Sequence, residues 1–251
     1  MTILFIQGFS TFESKLYEPI FDIFKNNDIK YHIIKYDTNN DIDFICDEIK
    51  NALNNETFKY IIAHSMGCFL ITKVLHELNE ESEKIDKNPI NFSETTFILL
   101  NPLLESQTLI YLITIFLPKI IAENVYLPKF LSIPNNKLLD TVTIWNNLFN
   151  LDNYKLIYHK QIYQVYSYQK FLNFDDFIKI YKILNIKLKI LHSVYDDLAY
   201  ISPVSLNKLQ NLFEVYSIYG KHEPFNVLNS ELLQNNFKKI FNKLIQPQVS
   251  N

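Results

Sequence analysis

The stretch Tyr60–Cys68, which reads YIIAHSMGC, decides the fold. Its first five residues form an apolar, β-branched run typical of a buried strand, and an apolar helical pattern begins at Met66. Ser65 therefore lies at a sharp turn between a strand and a helix. The residues two before and two after it, Ala63 and Gly67, are small, as the close approach of strand and helix at such a turn requires. We interpret Ser65 as a candidate nucleophile; the alternative interpretation is a plain helix N-cap.

Outward from this stretch, short apolar or β-branched runs alternate with helical patterns. The predicted strands are Thr2–Gln7, Lys30–Tyr36, Tyr60–His64, Thr95–Asn101, Lys187–His192 and Phe213–Tyr219. The predicted helices lie near Ser14–Asn26, Asp41–Leu53, Met66–Leu78, Ser202–Asn211 and Ser230–Leu244. This alternation predicts an α/β fold, with a mostly parallel central sheet of about six strands and helices on both faces.

One long interval, residues 102–184, contains no convincing strand. We predict that it forms a helical cap inserted between the fourth and fifth strands, into a core made of residues 1–101 and 185–251. Its uncharged run Leu109–Leu117 is too short to span a bilayer. This run is either a buried core helix or a lid face that contacts an apolar substrate or, transiently, a membrane surface. Leu109, Ile113 and Phe116 are the candidate substrate contacts.

Two later loops carry polar residues that suit a serine nucleophile. Asp196 follows the fifth predicted strand and His222 follows the sixth, so the order along the chain is Ser, Asp, His. The neighbouring Asp197 remains an alternative, but the spacing from the strand favours Asp196. The remaining histidines are interpreted as structural; they are His32, His64, His76, His159 and His192.

Glycine is rare, with three residues where ordinary usage would give about 18. Gly8 follows the first predicted strand, Gly67 belongs to the turn at Ser65, and Gly220 follows the last strand. Glycine is retained where backbone geometry excludes a Cβ atom. All three therefore indicate loops at the edge of the sheet that carries the candidate residues.

These motifs resemble those of the α/β-hydrolase superfamily, especially its small lipase- and esterase-like members with an H-S-M-G turn. The resemblance implies a nucleophile at Ser65, a base at His222 and an orienting acid at Asp196. It also implies an oxyanion hole formed by the backbone N–H groups of Phe9 and Met66. The sequence departs from the usual pattern in three places: Ala63 replaces a glycine, Gln7 replaces a histidine and Ser193 replaces a glycine.

The implied activity is two-step acyl transfer on a carboxylic ester with an apolar acyl group, or on an acylglycerol. Thioesters suit the same residues almost equally, and hydrolysis of a carbon–carbon bond remains open. An alternative from another class is a catalytically silent member of the fold that binds a small apolar ligand or a protein.

Composition disfavours several other classes. The 251-residue chain has a net charge of −3 and no arginine, so nucleic acid is not an expected partner. No metal-ligand spacing and no nucleotide-binding glycine motif is present, and we expect neither a metal nor a cofactor. The first residues lack the features of a signal peptide, which favours a cytoplasmic protein. The oligomeric state is left open.

Overall fold

The structure is a computed structural model, and it describes residues 1–8, 14–36, 40–85, 91–104, 126–127, 157–158, 173–196, 199–226 and 230–246. The strands in these ranges are β1 Thr2–Ile6, β2 Lys30–Ile34, β3 Tyr60–His64, β4 Thr96–Leu100, β5 Tyr126–Leu127, β6 Ile157–Tyr158, β7 Lys187–Ser193 and β8 Glu214–Ile218. The helices are α1 Glu18–Asn26, α2 Ile42–Asn55, α3 Met66–Ile85, α4 Phe174–Ile183, α5 Pro203–Gln210 and α6 Glu231–Ile245. None of these helices is long and apolar enough to cross a membrane.

Six of the strands form one parallel sheet in the order β2-β1-β3-β4-β7-β8. Every residue of the central strands β3 and β4 is buried. The outer strands β2 and β8 are only partly buried. Continuous apolar runs in the centre are expected for a parallel sheet that is covered on both faces. The predicted α/β architecture is confirmed, and each predicted strand agrees with the observed one to within two residues at either end.

Alternate residues of each strand point to opposite faces of the sheet. On one face, Leu4, Ile6 and Ile61 belong to a core that includes apolar residues of α2, α3, α4 and α5. On the other face, Ile3 and Phe5 pack with residues of α1 and α6. These two buried layers hold the helices against the sheet. Because the six strands are parallel, their carboxyl ends all lie at the same edge of the sheet.

Helix α4 lies within the range that the sequence analysis assigned to the cap. Its residues Phe177, Ile180 and Tyr181 are nevertheless buried in the same core as α3. Asn173 caps its start, because the side chain accepts hydrogen bonds from the N–H groups of Asp175 and Asp176. These ten residues thus belong to the layer that covers the sheet. Of the rest of the predicted cap, the structure describes residues 102–104, 173 and 184 and the strands β5 and β6, which pair in antiparallel fashion. The other residues of the predicted cap lie outside the described residues.

The order of the strands defines a topological switch point at one edge of the sheet. Strand β1 pairs with β2 on one side and with β3 on the other. After β1 the chain enters α1 on one face of the sheet, and after β3 it enters α3 on the other face. Ligands of open α/β sheets bind outside the carboxyl ends of the strands at such a switch point. Gly8 and Ser65 follow the two strands that flank it.

Candidate active site

Ser65 occupies the whole turn between β3 and α3, since β3 ends at His64 and α3 begins at Met66. Its φ angle is 52°, in the left-handed region that residues other than glycine seldom adopt. Such a conformation costs on the order of 1–3 kcal/mol and persists only where the surrounding structure enforces it. The turn is held by a hydrogen bond of 3.0 Å from the Ser65 N–H to the carbonyl of Leu100 on β4.

Gly67 allows α3 to approach β1. A Cβ atom at this position would lie 2.6 Å from the carbonyl oxygens of Ile6 and Gln7, which is far closer than van der Waals contact permits. A Cβ atom at Gly8 would lie 2.8 Å from His64 Nδ1. At Gly220 the nearest atom, on Pro224, would be 3.3 Å away. None of the three glycines has a positive φ, so their role is close approach and not a left-handed backbone, and the constraint is weakest at Gly220.

The structure brings Ser65, His222 and Asp196 together, although they lie on three separate loops. Ser65 Oγ is 2.7 Å from His222 Nε2. His222 Nδ1 is 2.8 Å and 3.0 Å from the two carboxylate oxygens of Asp196. Because a carboxylate only accepts hydrogen bonds, Nδ1 carries the proton. Nε2 is then free to accept the hydrogen of the serine hydroxyl.

Burial and charge set the ionisation of this pair. The side chain of Asp196 is fully buried, and its Oδ1 also accepts a hydrogen bond of 2.8 Å from the N–H of Ala199. Burial by itself opposes a charge on His222. The negative charge of Asp196, its hydrogen bond and the nearby Glu223 outweigh that effect and raise the pKa of His222 above its ordinary value. The imidazole is thereby prepared to take up a proton.

A network of hydrogen bonds surrounds the three residues. Tyr17 Oη accepts a bond of 2.7 Å from the N–H of Gly8 and lies 2.9 Å from His64 Nδ1. His64 Nε2 is 3.1 Å from the main-chain carbonyl oxygen of His222. Asn101 Nδ2 donates to the same carbonyl at 2.6 Å. The loops that carry Gly8 and His222 are therefore linked through buried side chains.

Several predicted site residues lie outside the part of the chain that the structure describes. They are Phe9, Asp197, Leu109, Ile113 and Phe116. Met66 is described and is the first residue of α3, where a backbone N–H has no partner within the helix. No cluster of three or more His, Cys, Asp or Glu side chains that could hold a metal ion occurs among the described residues.

Several solved structures of other proteins have a similar fold. No protein-family model matches the sequence, and no curated protein matches it. Solved structures do match. DcsB, determined in complex with its substrate analogue, is 13% identical, covers 97% of this chain and 88% of its own, and has a TM-score of 0.65. A carboxylesterase of the ammonia-oxidizing thaumarchaeon Nitrososphaera gargenis is 10% identical, with the same coverages and a TM-score of 0.57.

The thioesterase domain from the curacin biosynthetic pathway is also similar. It is 10% identical, covers 98% of this chain and 91% of its own, and has a TM-score of 0.53. The protein has the α/β-hydrolase fold. This fold was expected from the H-S-M-G turn and the order of strands, and the expectation is confirmed.

Two residues of this hydrogen-bond network, Asn101 and Tyr17, were not predicted from the sequence. A third, His64, was predicted to be structural only. Asn101 ends the fourth predicted strand, at the same edge as Ser65, and this position was the available signal. His64 was interpreted as structural; it is buried, and it contacts the His222 loop. Tyr17 lies in a short 3₁₀ turn, Ser14–Tyr17, and nothing in its sequence context indicates that it reaches His64.

Proposed function

We propose that the protein is a serine hydrolase that cleaves carboxylic esters through an acyl-enzyme intermediate. The observation that carries this proposal is the hydrogen-bonded series from Ser65 Oγ to His222 Nε2, at 2.7 Å, and from His222 Nδ1 to the buried Asp196. A serine hydroxyl is a weak nucleophile unless an adjacent base takes its proton. The strained φ of Ser65 supports the same function, because strain of this kind clusters at active sites.

In the first half of the reaction, Ser65 Oγ bonds to the substrate carbonyl carbon while its proton passes to His222 Nε2. The carbonyl oxygen becomes an oxyanion, for which we propose the backbone N–H groups of Phe9 and Met66 as donors. Asp196 keeps the imidazole in the required tautomer and stabilises its positive charge.

The oxyanion then re-forms the carbonyl and expels the alcohol, which takes the proton from His222 Nε2 and leaves the acyl-enzyme. In the second half, water attacks the acyl carbon and gives a proton to His222. The new oxyanion re-forms the carbonyl by breaking the bond to Ser65 Oγ, which takes that proton back. The carboxylic acid is released and Ser65 regains its hydroxyl hydrogen. A thioester would react by the same steps, with a thiol as the leaving group.

The acyl group is proposed to be apolar. Residues 102–184 are rich in aliphatic and aromatic side chains, which is the composition that lines most small-molecule sites. We propose that Leu109, Ile113 and Phe116 contact the acyl chain. Each buried CH₂ contributes about 0.8 kcal/mol, so four further methylenes would raise kcat/KM about a hundredfold where the site has room for them.

The test is a panel of 4-nitrophenyl esters and coenzyme A thioesters, from acetyl to dodecanoyl, with the Ser65→Ala variant as the matched control. We expect turnover that Ser65→Ala abolishes and that increases with acyl length. Replacing Ile113 and Phe116 with Ser should remove the preference for long chains and leave short esters unaffected. A folded wild-type protein that cleaves neither series would contradict the proposal and favour the silent binding protein.

A further inference from the structure

Two buried side chains donate hydrogen bonds to one main-chain carbonyl, that of His222. His64, the last residue of β3, has its Nε2 3.1 Å from this oxygen. Asn101, which follows β4, has its Nδ2 2.6 Å from the same oxygen. We infer that His64 and Asn101 are positioning residues that hold the His222 loop by its main-chain carbonyl. A neutral His64 also connects this loop, through Tyr17, to the loop after β1. The inference rests on the function proposed above.

The direction of the hydrogen bonds assigns the tautomer of His64. The main-chain carbonyl of His222 can only accept, so His64 Nε2 carries the ring proton and donates to it. Nδ1 then accepts from the hydroxyl of Tyr17, whose oxygen in turn accepts from the N–H of Gly8. Each donor in this series has an acceptor, so the series runs in one direction from the Gly8 loop to the His222 loop.

A proton on Nδ1 of His64 would break the series, because it would face the hydroxyl hydrogen of Tyr17. Burial, together with the nearby His222, lowers the pKa of His64 to about 3, against smaller opposing effects of the His222 carbonyl and Asp196. The ring centroids of His64 and His222 are 5.0 Å apart. A neutral His64 also leaves His222 free to take up a proton without repulsion.

Asn101 holds the same loop from the neighbouring strand, β4. Its Oδ1 accepts a bond of 2.7 Å from the N–H of Ser193, and its Nδ2 lies 2.9 Å from Ser193 Oγ. Asn101 is 1% exposed and has a φ of 45°, a conformation that asparagine tolerates better than most residues. A single side chain thus connects the ends of β4 and β7 to the His222 loop.

The two hydrogen bonds to the His222 carbonyl affect the orientation of the His222 ring. Its two nitrogens must face Ser65 and Asp196 simultaneously, and the ring is carried by a backbone whose carbonyl the two donors hold. A displacement of about 1 Å in a catalytic group can cost on the order of a hundredfold in rate. We call the two hydrogen bonds from His64 and Asn101 to the His222 carbonyl the clamp. We therefore expect loss of the clamp to lower kcat and leave KM for a small ester nearly unchanged.

The discriminating pair of variants is His64→Gln and His64→Asn. The amide nitrogen of glutamine can take the place of Nε2 and keep the donor, whereas that of asparagine corresponds to Nδ1 and loses it. We expect His64→Asn to lower kcat on the order of a hundredfold and His64→Gln to restore most of it. Equal activity of the two variants in folded protein would overturn the inference.

A second readout needs no substrate. In protein labelled with ¹⁵N at histidine, nuclear magnetic resonance should show His64 as the neutral Nε2–H tautomer throughout the range in which His222 titrates. His64→Asn should lower the pKa of His222, because its pairing with Asp196 loosens, and His64→Gln should not. A wild-type His64 that is protonated near neutral pH, or that carries its proton on Nδ1, would overturn the inference.

These outcomes separate the clamp from the proposed function. A protein in which Ser65→Ala leaves turnover unchanged would refute the hydrolase mechanism, whereas the tautomer of His64 and the pKa of His222 would still decide on the clamp. If His64→Asn does not fold, Tyr17→Phe provides a second variant that removes the donor to His64 Nδ1. It should lower the pKa of His222 in the same direction, and an unchanged pKa would contradict the inference.

Discussion

Ser65 adopts a backbone conformation that favours glycine, with a φ of 52°, and alanine would suffer the same strain. Both Ser65→Ala and Ser65→Gly should lower turnover on the order of 10³-fold or more, as loss of a nucleophile does elsewhere. Only the glycine variant relieves the strain, and we expect it to exceed Ser65→Ala in stability by about 1 kcal/mol. Urea unfolding of the two variants measures this difference. A glycine variant no more stable than the alanine variant would show that the turn is unstrained.

His222 acts as a base only when it is neutral, so kcat/KM should rise with pH through the pKa of His222. Burial lowers that pKa, but Asp196 raises it by more, and the rise should therefore be centred above 6.5. In Asp196→Asn the raising effect is lost and burial remains, so the rise should move to lower pH. We also expect kcat to fall about 10⁴-fold, because the tautomer is no longer fixed.

The control for this prediction is Asp197→Asn, which should leave the pH of the rise unchanged and cost far less activity. pH–rate profiles of the three proteins on one small ester decide the matter. If Asp197→Asn produces the larger shift, Asp196 is not the orienting acid.

At the scale of the elements, the contact of α3 with β1 depends on Gly67. A Cβ atom there would lie 2.6 Å from two backbone oxygens, and neither can move without disturbing the strand. Overpacking of this kind typically costs about 1–3 kcal/mol, and we expect Gly67→Ala to be near the upper end. Gly220→Ala is the matched control, since its closest atom lies 3.3 Å away on a proline ring. Similar unfolding midpoints for the two variants would contradict this account of the turn.

The sheet was predictable because its central strands are buried on both faces and therefore carry continuous apolar runs, such as Tyr60–His64. Helix α4 was assigned to the cap because no strand separates it from the insertion. Its start could have been recognised from Asn173 and Asp176, which form a capping box. Capping is a local interaction, so the sequence carries it, whereas the surface that a helix covers depends on distant residues.

The candidate site was predictable to the extent that each residue follows a strand. Ser65, Asp196 and His222 were predicted as site residues from their position after β3, β7 and β8, and the structure brings their side chains together. The clamp was not, because Tyr17 and His64 are 47 residues apart, and Asn101 and His222 are 121 residues apart. No local pattern signals a hydrogen bond of that separation, and it becomes apparent only from the packed sheet.

For the whole molecule, His64 makes stability depend on acidity. The pKa of His64 is about 3 in the folded protein and has its ordinary value of 6.5 in the unfolded chain. Between pH 3 and pH 6.5, the unfolded chain therefore binds a proton that the folded protein does not. Stability from this group is therefore complete above 6.5 and falls as the pH drops, by about 1.4 kcal/mol per unit.

His64→Gln removes this titration and leaves every other ionisable group in place. Its stability should consequently decline less steeply than that of the wild type between pH 6 and pH 4, as followed by urea unfolding at each pH. Parallel curves for the two proteins would show that His64 is not held neutral by the fold.

The central claim is that Ser65 is an activated nucleophile, and covalent labelling tests it most directly. A fluorophosphonate reacts with a serine whose hydroxyl is deprotonated by a base and whose oxyanion is stabilised. Intact-mass measurement and peptide mapping should find one adduct per chain, on Ser65, with none in Ser65→Ala and far slower labelling in Asp196→Asn. A folded wild-type protein that remains unlabelled, or an adduct that persists in Ser65→Ala, would contradict the claim.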